Sequence, residues 1–186
     1  NLKSVQNAFE RIGVETIVSR DHAVIRQAKG IVLPGVGTFP VAMDNLKRFD
    51  LMTILKERKD AGIPILGICL GMQILFEKGM EIKECKGLGF LDGEIRLMEV
   101  DDKIPHMGWN EIRGLKSGLF DGVVEGEMVY FVHSYCVPVG EYSIATCDYQ
   151  IAFSAAIRKG NFWGCQFHPE KSAGVGEKII ENFLKM

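Results

Sequence analysis

The sequence predicts an α/β fold: a parallel-core mixed sheet flanked by helices, a second, largely antiparallel sheet, and a strand–nucleophile elbow–helix junction. Three observations predict it. Two unbroken apolar runs, residues 31–33 and 63–68, alternate with helical patterns in the first half, as strands buried on both faces of a parallel sheet do. Beyond about Lys83 the pattern changes to extended segments punctuated by Asp92-Gly93, Asp121-Gly122, Gly126, Gly140 and Gly160, which are turn signals. Gly67-Ile68-Cys69-Leu70-Gly71 joins an apolar strand to an amphipathic helical pattern.

The elements follow in order. Leu2, Val5, Ala8, Phe9 and Ile12 share one face of an opening helix, and Gly13 reads as its C-terminal cap. Residues 16–18 read as a short strand and residues 21–28 as a helix. The strand at 31–33 ends at Pro34-Gly35. Residues 49–59 read as helix, 63–68 as strand and 70–77 as helix. In the second half, residues 91–98, 128–135, 143–146, 153–157 and 162–167 read as extended, forming mixed or antiparallel sheet laid on the first half. A helix beginning at Ser172 or Gly174 closes the pattern, with Val175, Ile179, Ile180 and Phe183 as its apolar face.

Composition bounds the function. The 186 residues are expected to form one domain spanning 1–186, since domains average roughly 150 residues. With 47% hydrophobic and 25% charged residues, wholesale disorder is excluded. A net charge of −2 argues against a nucleic-acid binder. Five cysteines without a C-x-x-C pair argue against a disulfide framework and for a reducing, cytoplasmic setting. The longest apolar stretch, residues 62–76, carries Gly, Pro and Gln and is too short to span a bilayer, so no membrane association is expected. No H-x-x-x-H or C-x-x-C spacing suggests a metal. No cofactor is expected either: Pro34-Gly35-Val36-Gly37 begins like a dinucleotide fingerprint, but Pro40 stands where its last glycine belongs.

Cys69 is the candidate nucleophile. G-x-C-x-G is the thiol version of the elbow that exposes a serine at a strand–helix junction. A sharp turn forces the nucleophile's backbone into a strained region, and the flanking glycines remove Cβ atoms that would collide. The following helix is expected to favour thiolate, and the N–H of Leu70 points where an oxyanion forms. A lone cysteine is usually core; the two glycines set this one apart, and the other four cysteines read as core. Of the four histidines, His168 stands in His168-Pro169-Glu170. Proline keeps the preceding residue extended, so side chains two apart point the same way. Glu170 can then fix the tautomer of His168 and stabilise its imidazolium. The loop Gly35-Val36-Gly37 can supply further N–H groups to the oxyanion.

Together PGVG, GICLGMQ and HPE resemble the class I, triad-type glutamine amidotransferases over essentially the whole chain. Pro105-His106-Met107-Gly108-Trp109-Asn110, residues 130–135 (YFVHSY), residues 168–172 (HPEKS) and Met72 narrow the resemblance to a branch that works with a cyclase. The resemblance implies that Cys69 attacks the side-chain amide of glutamine, His168 carries the proton to departing ammonia, and Glu170 orients His168. It implies that Leu70 and the Gly35–Gly37 loop bind the oxyanion. Gln73, with backbone around Ser134 and Tyr135, would hold the amino-acid end of the substrate. Ammonia would pass to a (β/α)8-barrel cyclase partner in a heterodimer, with Trp109, Tyr130 and Lys171 near the interface. The family also has a strand and glycine-rich turn just before the position of Asn1, so such a strand is expected in the natural chain. Two other readings stay open: a glutaminase serving another biosynthetic acceptor, and a non-catalytic interaction module on the same fold.

Overall fold

The computed structural model describes residues 1–35 and 37–186. Chain order is α1 (Leu2–Arg11), α2 (His22–Gln27), β1 (Ile31–Leu33), α3 (Phe39–Arg48), α4 (Leu51–Asp60), β2 (Ile65–Ile68), α5 (Leu70–Gln73), β3 (Phe76–Gly79), β4 (Cys85–Lys86), β5 (Leu91–Leu97), β6 (His106–Glu111), β7 (Met128–His133), β8 (Tyr135–Cys136), β9 (Ser143–Tyr149), β10 (Ile151–Lys159), β11 (Phe162–Cys165) and α6 (Ala173–Phe183).

The main sheet has the order β1-β2-β11-β10-β9. Strands β1, β2 and β11 run parallel, while β10 is antiparallel to both β11 and β9. Alternation along the central strands explains the unbroken apolar runs. Leu66 and Ile68 enter one core together with Trp163 and Cys165; Ile65 and Phe162 enter a second core on the opposite face. Both faces are dry, so every position must be apolar or glycine, and each large side chain contributes about 1.5–3 kcal/mol by burial. Helix α1 covers the first face with Val5, Ala8 and Phe9, and α6 does so with Ile179, Ile180 and Phe183. Helix α3 covers the other with Phe39, Met43 and Leu46, spaced for one helical face. A four-stranded sheet, β4-β3-β5-β8, and a two-stranded ribbon, β6-β7, complete the fold.

Several elements depart from the sequence expectation. Helix α3 was not foreseen; Pro40 sits in its first turn, where its missing N–H costs nothing. The helix after the elbow is one turn, Leu70–Gln73, and the chain re-enters a strand at Phe76. Residues 70–77 are buried nearly all round, and such a run carries no periodicity that separates helix from strand. Residues 16–18 are not a strand: Ile17 and Val18 are 76% and 57% exposed, without sheet partners among the described residues. The later strands β9, β10 and β11 extend the first sheet edge-on and are not stacked upon it. Ribbon strand β6 was also unforeseen. Of the cysteines read as core, Cys136, Cys147 and Cys165 are buried, whereas Cys85 is half-buried.

Candidate active site

Three parallel strands deliver the site. Strands β1, β2 and β11 end on the same side of the sheet, and their carboxyl ends lead into Pro34-Gly35, Cys69 and Gln166-Phe167-His168. Open parallel sheets present their chemistry at that edge. Cys69 and His168, far apart in the chain, thus emerge side by side, because Cys165 is the register partner of Ile68.

The elbow is strained and close-packed. Cys69 has φ 53° and ψ −110°, a region that non-glycine residues rarely occupy and that clusters at functional sites. Its N–H donates to the carbonyl of Cys165 at 2.7 Å, which ties the turn to β11. A Cβ on Gly71 would lie 1.8 Å from the carbonyl oxygen of Leu33, and one on Gly67 would lie 2.5 Å from that of Gly71. Both flanking glycines are therefore steric necessities. A Cβ on Gly35 would lie 2.3 Å from Cβ of Leu70, so the glycine loop and the residue after the nucleophile touch. Gly37 has φ +89°; Val36, expected in the same loop, lies outside the described residues.

His168 Nδ1 meets Glu170 Oε1 at 2.7 Å, both side chains buried. Burial alone lowers the imidazole's affinity for a proton, but its interactions with Cys69 and Glu170 outweigh that and push the pKa up to about 9. Once it has taken a proton, the imidazolium is thereby stabilised between the sulfur and the carboxylate. Its Nε2 and the second oxygen of Glu170 have no hydrogen-bond partner among the described residues. The His168 backbone is fixed twice, its N–H donating to the Tyr130 carbonyl at 2.9 Å and its carbonyl accepting from Ser172 Oγ at 2.6 Å. Ser172 Oγ in turn accepts from the N–H of Tyr130 at 3.0 Å. The thiol of Cys69 donates to the Val132 carbonyl at 3.8 Å. The short α5 contributes only a fraction of a helix dipole, so the expected thiolate support must come mainly from side chains. Burial pushes the Cys136 and Cys147 thiols up to about 11 and about 12, and raises Cys165 as well, which leaves them protonated and inert.

The expected substrate contacts divide. Gln73 is buried, and its amide N–H groups donate to the Tyr135 carbonyl at 3.0 Å and to Gln166 Oε1 at 3.2 Å. Only its oxygen remains to accept from a ligand. The Tyr135 carbonyl also accepts from His133 Nδ1 at 3.0 Å, so this carbonyl serves the protein's own side chains. The Ser134 carbonyl accepts from Met98 N–H. Trp109, Tyr130 and Lys171 come together as one surface patch: Trp109 is 50% exposed, its ring packs edge-on against Tyr130, and Lys171 Nζ lies 5.8 Å from the Tyr130 ring centre. Sequence reasoning missed Gln166 and Ser172. Ser172 stood in a quoted motif without a role; Gln166 is fully buried and adjoins the His-Pro-Glu run by two residues, the only cue the sequence offers.

A parallel sheet edge that presents a strained, glycine-flanked cysteine against a histidine–carboxylate pair has the layout of a thiol-dependent acyl-transfer enzyme, and comparison with known proteins narrows the class. The profile described as "Glutamine amidotransferase class-I" matches residues 1–186, and the chain belongs to that family. It is 51% identical to "Imidazole glycerol phosphate synthase subunit HisH" of Lactococcus lactis, covering 100% of this chain and 93% of that one. It is 50% identical to the Bacillus cereus protein of the same name, covering 98% and 88% respectively. In fold it is similar to a solved glutamine amidotransferase at a TM-score of 0.76 with 16% identity, over 100% of this chain and 93% of the other.

Proposed function

We propose that the chain is the glutaminase subunit of an imidazole glycerol phosphate synthase, acting in histidine biosynthesis in the cytoplasm as a single amidotransferase domain. The observation that carries the chemistry is the strained Cys69 beside the buried His168–Glu170 pair. The full-length likeness to relatives of that name, near half identity, carries the pathway.

The Cys69 sulfur gives its proton to His168 Nε2 and bonds to the glutamine side-chain carbonyl carbon. The carbonyl π electrons move to oxygen, where the Leu70 N–H and the Gly35–Gly37 loop receive the charge. His168 returns the proton to the leaving nitrogen, the C–N bond breaks, and ammonia departs from a glutamyl thioester. Water then attacks, His168 takes its proton, and the C–S bond breaks to release glutamate. Glu170 holds the imidazole in the tautomer with its proton on Nδ1 and stabilises it when charged. The Gln73 oxygen accepts from the substrate ammonium, with backbone of Ser134 and Tyr135 closing that end. Trp109, Tyr130 and Lys171 form the rim against a (β/α)8-barrel cyclase that consumes the ammonia.

The test is glutamate release with and without the cyclase subunit. Cyclase-stimulated turnover is expected, falling to background in Cys69→Ala while ammonia-dependent synthesis persists. Turnover surviving Cys69→Ala would overturn the nucleophile assignment. Stimulation by an anthranilate-forming partner and not by the cyclase would overturn the pathway.

A further inference from the structure

Gln166 sits where no backbone requirement explains it. It is fully buried at the end of β11, its main-chain N–H already satisfied by the Ala155 carbonyl at 2.8 Å. A buried primary amide needs partners for its donors and its acceptor or it destabilises the fold. Its oxygen accepts from Gln73 Nε2 at 3.2 Å, and its nitrogen lies 3.7 Å from the sulfur of Cys69.

The orientation of that amide is fixed by groups that cannot be inverted. The Tyr135 carbonyl can only accept, so Gln73 must turn its NH2 toward it. The second hydrogen of that NH2 then points at Gln166, which must answer with its oxygen. The Gln166 NH2 is left facing sulfur. The same carbonyl fixes a second branch. His133 Nδ1 must carry the hydrogen it donates to Tyr135 O, so its Nε2 accepts from His106 Nδ1 at 3.0 Å. His106 Nε2 then accepts from Asn110, whose amide also donates to the Asp148 carbonyl at 2.9 Å. Both imidazoles are neutral in this arrangement. Burial pushes His106 down to about 4 and His133 down to about 3, the latter opposed by its bond to Tyr135 and reinforced by the charges of His106 and His168.

We propose that Gln166 is a further catalytic residue, whose amide N–H holds the Cys69 sulfur while that sulfur bears negative charge. In the resting geometry the thiol hydrogen points to the Val132 carbonyl. When that hydrogen passes to His168 Nε2, the sulfur loses its one donor role and keeps lone pairs for acceptance only. Gln166 is already in place to donate to it, and the proton inventory closes: one proton leaves sulfur, one arrives at imidazole, and the amide keeps both of its own. The arrangement supplies the sulfur stabilisation that a one-turn helix cannot, and it leaves the Leu70 N–H for the substrate oxygen. This inference rests on Cys69 being the nucleophile.

The test separates a donor to sulfur from a spacer behind Gln73. Gln166→Met keeps the length and removes the donor. The ultraviolet absorbance of the Cys69 thiolate, read as the difference from Cys69→Ala so that the other four thiols cancel, should appear at a pH about one unit higher in Gln166→Met than in the native chain. That is a ten-fold loss of ionisation, the lower end for a hydrogen bond to a charged group. The titratable neighbours of the sulfur, His168 and Glu170 behind it, are unchanged. With the cyclase subunit bound, kcat should fall about three- to ten-fold with KM within about two-fold, because a less stabilised thiolate is scarcer but more nucleophilic. A raised KM with unchanged kcat and thiolate profile would overturn the proposal, leaving Gln166 a support for Gln73. Should the variant not fold, the native chain supplies the readout. The Gln166 side-chain amide resonance should move on alkylation of Cys69, and a stationary resonance would refute contact. Turnover surviving Cys69→Ala sinks the nucleophile itself; normal ionisation and kcat in Gln166→Met, with Cys69→Ala inactive, sinks only the donor.

Discussion

Replacing Gly71 by alanine should disable the site without touching a reacting group. Its Cβ would stand 1.8 Å from the carbonyl oxygen of Leu33, against the ~3.3 Å of an ordinary C···O contact. About 1.5 Å of separation must therefore open between the elbow and β1. Strand β1 cannot easily retreat, because Leu33 is the register partner of Gly67 on the strand that ends in the elbow. The opening then falls on Leu70 and the Cys69 turn. A displacement of about 1 Å at a reacting centre can cost about a hundred-fold in rate, so kcat should drop at least that far. Overpacking of this kind costs about 1–3 kcal/mol, which for a chain of this size lowers Tm by about 2–12 °C. Glutaminase turnover with the cyclase subunit and calorimetric melting measure both. Gly174→Ala is the reference: nothing lies within 4 Å of its added Cβ, and alanine in the first turn of α6 should stabilise by about 0.4–1 kcal/mol. Gly71→Ala with native kcat and Tm would refute the close approach and, with it, the steric account of the elbow.

Two further outcomes follow from the buried imidazoles. His168→Ala should lose about 10³-fold in glutamine turnover and Glu170→Gln only about 10- to 100-fold, because the base survives when its orienting carboxylate is removed; equal or reversed losses in steady-state assays would contradict those roles. Stability should fall on acidification: His133 and His106 bind protons in the unfolded chain near the ordinary imidazole value of about 6.5, but in the fold only near about 3 and about 4. The unfolded state takes up more protons through that window, and His133 alone removes about 2 kcal/mol by pH 5. His168 acts oppositely: its folded value near 9 lies above the unfolded one, so its contribution is complete below pH 6.5 and is lost as pH rises through about 9. Urea denaturation across that range measures both, and a flat profile between pH 7 and pH 5 would argue that the His106–His133 pair is not buried as a neutral pair.

What could be read from the chain was local. The elbow was legible because its requirements are a strained turn and two missing Cβ atoms, which are properties of five consecutive residues. His168 and Glu170 were legible as a pair, but for a reason only half right: His168 is extended before its proline, whereas Pro169–Lys171 is a 3-10 turn and not the extended chain expected. Gln166 was not: its orientation depends on Gln73 from α5 and a carbonyl of β8, and no spacing encodes an amide's direction. Residues 70–77 misled because a segment buried on all sides has no polar face to set its period. Residues 16–18 misled in another way, since β-branched composition makes a strand only where an edge is available to pair. Trp109 was placed near an interface by resemblance alone, and only the pairing of β6 with β7 shows that its ring stands half in solvent beside Tyr130.

Strand β7 has a consequence of its own. The peptide oxygen of Tyr130 secures the imidazole-bearing segment, the oxygen of Val132 takes the sulfhydryl hydrogen, and the Tyr130 ring lies outside against Trp109 and Lys171. Anything that grips that outer face therefore has its fingers on a single rigid ruler, whose graduations, two residues apart, set the spacing between acid–base group and nucleophile.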